Sequence, residues 1–229
     1  MRLLLDKRSR PLSPGVLSDD DLSHLYAWPA GGGMRANFVS TLDGSAVGSD
    51  SRSGSINTAA DGRIFHLQRE LTDCVLVGAG TARAEGYRRG DKPIVVVSRS
   101  GQLPESLTSG DGDVILVTCA SSGRTEGDDV WVEGDDEVDL PAVVARLRTS
   151  GMPRVLAEGG PHLFHSLLDA DLVDEFALTL APRIVGGEHT RVVAGEALGG
   201  PAGLGAEIVH LVEEDGSLLG LWKVKTPGP

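Results

Sequence analysis

Apolar residues in this chain come in short runs, each closed by glycine, proline or an acidic cluster. Val75-Leu76-Val77, Ile94-Val95-Val96-Val97 and Val155-Leu156-Ala157 show the pattern of buried strands. On this basis strands are predicted near 35–41, 74–77, 93–98, 113–118, 130–132, 154–157, 175–185, 207–213 and 218–224. Helices are predicted near 58–71, 139–149 and 161–169. Asn57 or Thr58 caps the first and Asp139 the second, which starts at Leu140-Pro141. Pro161 suits the first turn of the third, where a missing N–H costs nothing. Strand and helix alternate through the first part of the chain, which implies parallel pairing. The last two strands flank Glu213-Glu214-Asp215-Gly216-Ser217 as an antiparallel hairpin. The expected fold is therefore α/β, a mixed, mostly parallel central sheet with helices on both faces.

Residues 1–33 read as an extension. Ser18 and Asp19-Asp20-Asp21 supply the cap and acidic first turn of a short helix reaching about Ala27, which Pro29 and Gly31-Gly32-Gly33 then break. The main domain is expected over 34–229. The stretches 100–112 and 126–139 are polar and carry no evident chemistry.

Composition narrows the possibilities. With 229 residues, 40% of them hydrophobic but only 4% aromatic, the core must be filled by Val, Leu, Ile and Ala. A formal charge of −12 argues against general binding to nucleic acid or membrane surfaces, both polyanionic, while leaving room for a small anionic ligand. No segment approaches the ~20 apolar residues of a membrane span. The apolar run Leu3-Leu4-Leu5 is too short for a signal sequence, so a cytoplasmic location is expected. Cys74 and Cys119 read as buried structural thiols.

Three segments carry candidate chemistry. Asn37-Phe38-Val39-Ser40-Thr41-Leu42-Asp43-Gly44 is a buried strand entering an acidic turn. Val75-Leu76-Val77-Gly78-Ala79-Gly80-Thr81 and Val155-Leu156-Ala157-Glu158-Gly159-Gly160-Pro161 are apolar runs ending in Gly turns that open helices. Such turns lie at the carboxyl ends of strands, where α/β sheets bind ligands and helix N-termini offer N–H groups to phosphate. Gly78-Ala79-Gly80 lacks the third glycine of a dinucleotide fingerprint, Arg83 standing there. Thr81 is placed either to cap the helix or to contact a phosphate. Glu158 is placed either to accept a bond from a substrate hydroxyl or amide, or to pair with an arginine. Ser98-Arg99, after a strand, forms either a clamp for the 2′-phosphate of a dinucleotide or a solvated loop. His162 reads as a phosphate or ribose neighbour and His165 as a helix-surface residue. Their spacing lacks further ligands, so no metal site is expected. The chain has no G-x-S-x-G and no C-x-x-C motif.

In four ordered blocks the chain resembles the reductase family of riboflavin biosynthesis, whose fold is like that of dihydrofolate reductase. The blocks are N-F-V-S-T-L-D-G from Asn37, V-L-V-G-A-G-T from Val75, V-L-A-E-G-G-P from Val155 and L-V-D-E-F-A-L-T-L-A-P-R-I-V-G-G from Leu172. The resemblance implies NADPH-dependent reduction of the ribosyl ring of a phosphorylated aminopyrimidine. It places Val39, Thr81, Glu85, Gly159, Gly160, Pro161 and the following helix start with His162 against the cofactor; Ser98 and Arg99, read from their place after a strand, are expected near its adenosine end. Ser53, Arg69 and Glu158 fall at substrate positions, and Asn37, Asp43 and Glu158 at catalytic or orienting ones. The proton source stays open between Glu158, a water and the substrate itself. The chain departs from the family at Asn37, often Lys; at Ser55, commonly Trp; and at Glu85-Gly86-Tyr87, usually Asp-Asp-Pro. The deaminase signatures of bifunctional members are absent, which implies a stand-alone reductase. A homodimer formed through an exposed tail strand is expected. Two alternatives remain at this level: a dihydrofolate or pterin reductase on the same fold, and a non-catalytic nucleotide-binding protein.

Overall fold

A computed structural model describes residues 1–9 and 11–225. The domain expected over 34–229 therefore ends, at 226–229, outside the described residues. The strands are β1 (Arg2–Asp6), β2 (Gly15–Val16), β3 (Gly33–Thr41), β4 (Cys74–Gly78), β5 (Ile94–Val97), β6 (Val114–Thr118), β7 (Val130–Val132), β8 (Arg154–Ala157), β9 (Glu175–Ala181), β10 (Ala206–Glu214) and β11 (Ser217–Val224). They form one sheet in the order β2-β1-β10-β11-β9-β3-β8-β4-β5-β6-β7. All pairings from β9 through β3, β8, β4, β5 and β6 to β7 are parallel. Those of β2, β1, β10, β11 and β9 are antiparallel.

Five helices cover the sheet: α1 (Asp19–Leu25), α2 (Ala59–Leu71), α3 (Ala79–Ala84), α4 (Leu140–Thr149) and α5 (Pro161–Asp169). Thr58 caps α2 by accepting from the Asp61 N–H, and Asp139 caps α4 through Ala142. Alternate strand residues face opposite layers. Leu76, Val95 and Val117 meet Val143, Leu147, Phe164 and Leu167 of α4 and α5. Val77 and Val96 meet Ala79 and Ala82 of α3, while Val212 and Leu219 meet Leu22, Leu25 and Ile64 of α1 and α2. Both cysteines are free and buried.

Three expectations need correction. The strand expected over 175–185 stops at Ala181, because Pro182 has no N–H to continue the ladder. The first 33 residues hold more than a helix: β1 pairs with β10, and Leu3 is buried under the sheet. The tail hairpin offers no free edge for a dimer, since β10 lies between β1 and β11, and β11 between β10 and β9.

Ionic and titratable groups are buried where β9 meets β3. Arg35 and Glu175 are register partners. The Arg35 guanidinium donates to Glu175 Oε2 through Nε at 2.9 Å and Nη2 at 2.6 Å, and to the Tyr26 carbonyl at 2.9 Å. It also stacks on Trp28, 4.3 Å from the ring centroid. Nearby His210 is fully buried, edge-on to Tyr26, with no hydrogen-bond partner for either ring nitrogen. Burial, helped by the Arg8 and Arg35 charges, pushes its pKa down to about 3. A depressed pKa means the unfolded chain binds the proton first. The contribution of His210 is therefore fully present above about pH 6.5 and is lost as pH falls toward 3. His210→Phe should remove about 2–3 kcal/mol of the stability lost between pH 7 and 4.5. Urea unfolding at the two pH values measures this, and an unchanged pH difference in the variant would show that the imidazole is not responsible.

Candidate active site

β8 is shorter than both its neighbours. Its pairing with β3 ends at Ala36↔Ala157, and its pairing with β4 ends at Leu76↔Ala157. β3 runs on from Asn37 to Thr41 beside β9 alone, while β4 runs on to Gly78. The turn Glu158-Gly159-Gly160 fills the start of the notch and leads into α5. The notch opens into a cleft of about 670 Å³, a size suited to small-molecule ligands. Its lining includes Asn37, Val39, Ser53, Asp61, Phe65, Arg69, Thr81, Glu85, Tyr87, Arg88, Glu158, Gly160 and Pro161.

A polar network crosses one wall. The Arg69 Nε donates to Glu158 Oε1 at 2.7 Å and its Nη2 to Glu158 Oε2 at 2.6 Å, a bidentate pair. The Tyr87 hydroxyl donates to the same Oε2 at 2.6 Å. Burial and the Glu158 carboxylate hold the phenol well above its ordinary pKa, so it stays a donor. The Arg69 guanidinium lies 4.4 Å from the Phe65 ring centroid and 5.3 Å from that of Tyr87. Asn37 Oδ1 accepts from Gln68 Nε2 at 2.8 Å, which fixes the amide orientation. The α2 helix thus presents Asp61, Phe65, Gln68 and Arg69 along its sheet-facing side, at helical spacing.

The opposite wall is backbone. The Gly78 N–H donates to the Gly159 carbonyl at 2.8 Å, so the two Gly turns are joined. Gly159 has φ +109°, a region that L side chains rarely adopt, and a Cβ there would lie 3.4 Å from the Phe38 ring. A Cβ on Gly160 would lie 2.3 Å from Thr81 Oγ1. Gly160 caps α5 without any side-chain hydrogen bond, leaving N–H groups of the first turn free for an anion. The residues present fit a phosphate-bearing dinucleotide brought against bare backbone.

Asn37, Val39, Ser53, Arg69, Thr81, Glu85, Glu158, Gly160 and Pro161 are gathered on the cleft. Glu85 and Ser53 are in contact, Glu85 Oε1 accepting from the Ser53 N–H at 2.8 Å. Gly159 lies behind the lining. Asp43 sits below it: its carboxylate accepts from Thr41 Oγ1 at 2.5 Å and from the Gly186 N–H at 2.8 Å, and these bonds hold its pKa down to about 2. Asp43 thus ties the turn after β3 to the loop after β9. Ser98 lies past the end of β5, its hydroxyl bonded to the backbone of Gln102, and Arg99 pairs with Glu137 on the surface, at 2.6 Å. Neither lines the cleft. His162 is exposed on α5, whereas His165 is half-buried, with Nε2 2.9 Å from the Glu196 carbonyl. Sequence reasoning missed Asp61, Phe65 and Gln68, whose signal was their shared spacing with Arg69. It also missed the bond from Tyr87 to Glu158, which no local pattern announces.

The model of the RibD C-terminal domain matches residues 34–211. The 2,5-diamino-6-ribosylamino-4(3H)-pyrimidinone 5′-phosphate reductase of Methanothermobacter thermautotrophicus is 32% identical over 71% of this chain and 83% of that protein. The reductase of the same name from Archaeoglobus fulgidus is 27% identical over 69% and 83%. Among solved structures, a pyrimidine reductase-like protein of Corynebacterium diphtheriae superposes with a TM-score of 0.71 at 20% identity, over 85% of this chain and 92% of that one. With the family model spanning β3 through most of β10, the chain belongs to the RibD C-terminal domain family.

Proposed function

We propose that this protein reduces the ribosyl group of a phosphorylated ribosylaminopyrimidine to a ribityl chain with NADPH, as a step of riboflavin biosynthesis. The substrate is 2,5-diamino-6-ribosylamino-4(3H)-pyrimidinone 5′-phosphate or its deaminated uracil counterpart. The reading is carried by one observation: a half-buried Glu158–Arg69–Tyr87 network faces a glycine cradle across a single cleft. The names of the similar reductases support it. NADPH would supply the hydride, and the protein's part is to bind, orient and exclude water. Gly159, Gly160, the α5 N-terminus and Thr81 would hold the cofactor. Asn37, with its amide fixed by Gln68, and Glu158 would read the pyrimidine edge. Arg69 spends only part of its five-donor fork on Glu158, which leaves N–H groups for substrate. Val39 and Phe65 supply apolar wall. The enzyme is taken to act in the cytoplasm as a homodimer; the exposed Val16 on edge strand β2 offers a strand to pair with, which analytical ultracentrifugation tests.

The assay is NADPH oxidation with the phosphorylated ribosylaminopyrimidine and, separately, dihydrofolate. Turnover of the pyrimidine is expected. Turnover of dihydrofolate alone would move the protein to the pterin reading, and silence with both would favour a non-catalytic role.

NADPH should bind more tightly than NADH. Arg99 is exposed and its pair with Glu137 is a surface contact that a phosphate can replace. A gain of about tenfold in Kd is expected, narrowing in Arg99→Ala. Equal affinities for the two cofactors in the wild type would refute this clamp.

A further inference from the structure

Asp61 is a cleft carboxyl that the reading above leaves without a task. It lies in the first turn of α2, is 5% exposed, and lines the cleft. Among the described residues no cation is within ion-pair distance of it, unlike Glu158. The Thr179 side chain on β9 is near enough to favour its ionised form. Thr179 is the register partner of Val39, and Val39 and Asp61 line the same cleft. The phenol of Tyr26 is its titratable neighbour on the buried side. Glu158, Arg69, Tyr87 and Glu85 line the same cleft. Burial raises the pKa of Asp61, and the nearby Thr179 side chain opposes this in part. Glu158 is in the opposite situation. Three of its four acceptor sites are taken, by two Arg69 N–H groups and the Tyr87 hydroxyl, which commits it to accepting rather than to delivering a proton.

We propose that Asp61 is the proton donor of the cleft, delivering the proton that joins the substrate nitrogen as the open-chain imine is reduced. The inference rests on the reductase reading above. The C1′–H bond forms with the electron pair of the cofactor hydride. The C1′=N π pair moves to nitrogen, and the Asp61 O–H bond breaks to place its proton there. The imine is reduced, the cofactor is oxidised, and Asp61 is left as a carboxylate that recovers a proton from solvent through the open cleft. Two carboxyls in one cleft thereby take separate roles, Glu158 accepting from its donors and Asp61 delivering a proton whose retention burial favours.

Asp61→Asn keeps the shape but has no acid proton to give. Its kcat should fall about 10²–10⁴-fold, as for loss of a general acid. Calorimetric affinities for NADPH and for the pyrimidine should stay near wild type. In wild type, kcat should decline at high pH as Asp61 ionises, and this limb should vanish in Asp61→Asn. Difference infrared spectra of the ligand-free protein at neutral pH should show a carboxylic-acid C=O band that is absent in the variant. Should Asp61→Asn fail to fold, Thr179→Val serves instead. It removes a hydroxyl that favours the ionised carboxyl, so the alkaline limb should move to higher pH. Near-normal kcat in folded Asp61→Asn, no infrared band in wild type, or an unmoved limb in Thr179→Val would each overturn the proposal. A wild-type protein that does not turn over the pyrimidine would sink the reductase reading and the donor role with it. The infrared band would still report whether Asp61 is held protonated.

Discussion

Gly159→Val is expected to reduce NADPH affinity by at least about a hundredfold. Two effects act together. The native φ of +109° is one that a β-branched residue cannot reach without strain, at a cost of about 1–3 kcal/mol. The new side chain would also press on the Phe38 ring, 3.4 Å from its Cβ, and displace the backbone that the Gly78 N–H grips. The loss therefore reaches both Gly turns at once, because they share that hydrogen bond. Isothermal calorimetry gives the affinity, and circular dichroism shows whether the fold is retained. Gly159→Ala separates the terms, since it carries most of the φ penalty with little of the bulk. Wild-type NADPH affinity in a folded Gly159→Val protein would remove the cradle from this turn.

Glu175→Ala should destabilise the protein by about 3–5 kcal/mol, the cost of leaving a buried charge unpaired. Arg35 is fully buried, and Glu175 is its carboxylate partner. The remaining acceptor, the Tyr26 carbonyl, cannot balance a guanidinium charge. The pair also bridges β3 and β9 at the start of their parallel register, so its loss loosens the strand that carries Asn37 and Val39. Urea unfolding measures the change. A loss below about 1 kcal/mol would mean that Arg35 finds water or another acceptor. The double variant Arg35→Met with Glu175→Leu should recover much of the stability, because well-packed apolar side chains need no charge partner.

The central strands were legible because their signal is local. Val75-Leu76-Val77 and Ile94-Val95-Val96-Val97 are continuous apolar runs between turn residues, and both are strands in the structure. The helix starts were legible for the same reason. Thr58, Asp139 and Pro161 act within a few residues of themselves. β1 was not legible: Leu3-Leu4-Leu5 is a strand only because β10, some two hundred residues away, supplies its ladder. The end of β9 was misread because its apolar pattern runs past Pro182, while pairing does not.

The sequence by itself determined the α/β class and the Gly turns at the strand ends, because periodicity, caps and turn chemistry are short-range properties, and its resemblance to a known family supplied several of the residues that line the cleft. Tertiary structure alone decided how those residues are used. Arg69 and Tyr87 meet on Glu158, while among the described residues no cation comes within ion-pair distance of Asp61, through the way α2, the turn after α3 and the end of β8 meet. Even the cleft depends on a length difference between strands distant in sequence, with β8 stopping while β3 and β4 run on. Charge partners and burial depend on which segments meet in space, and so does the division of labour between two carboxyls.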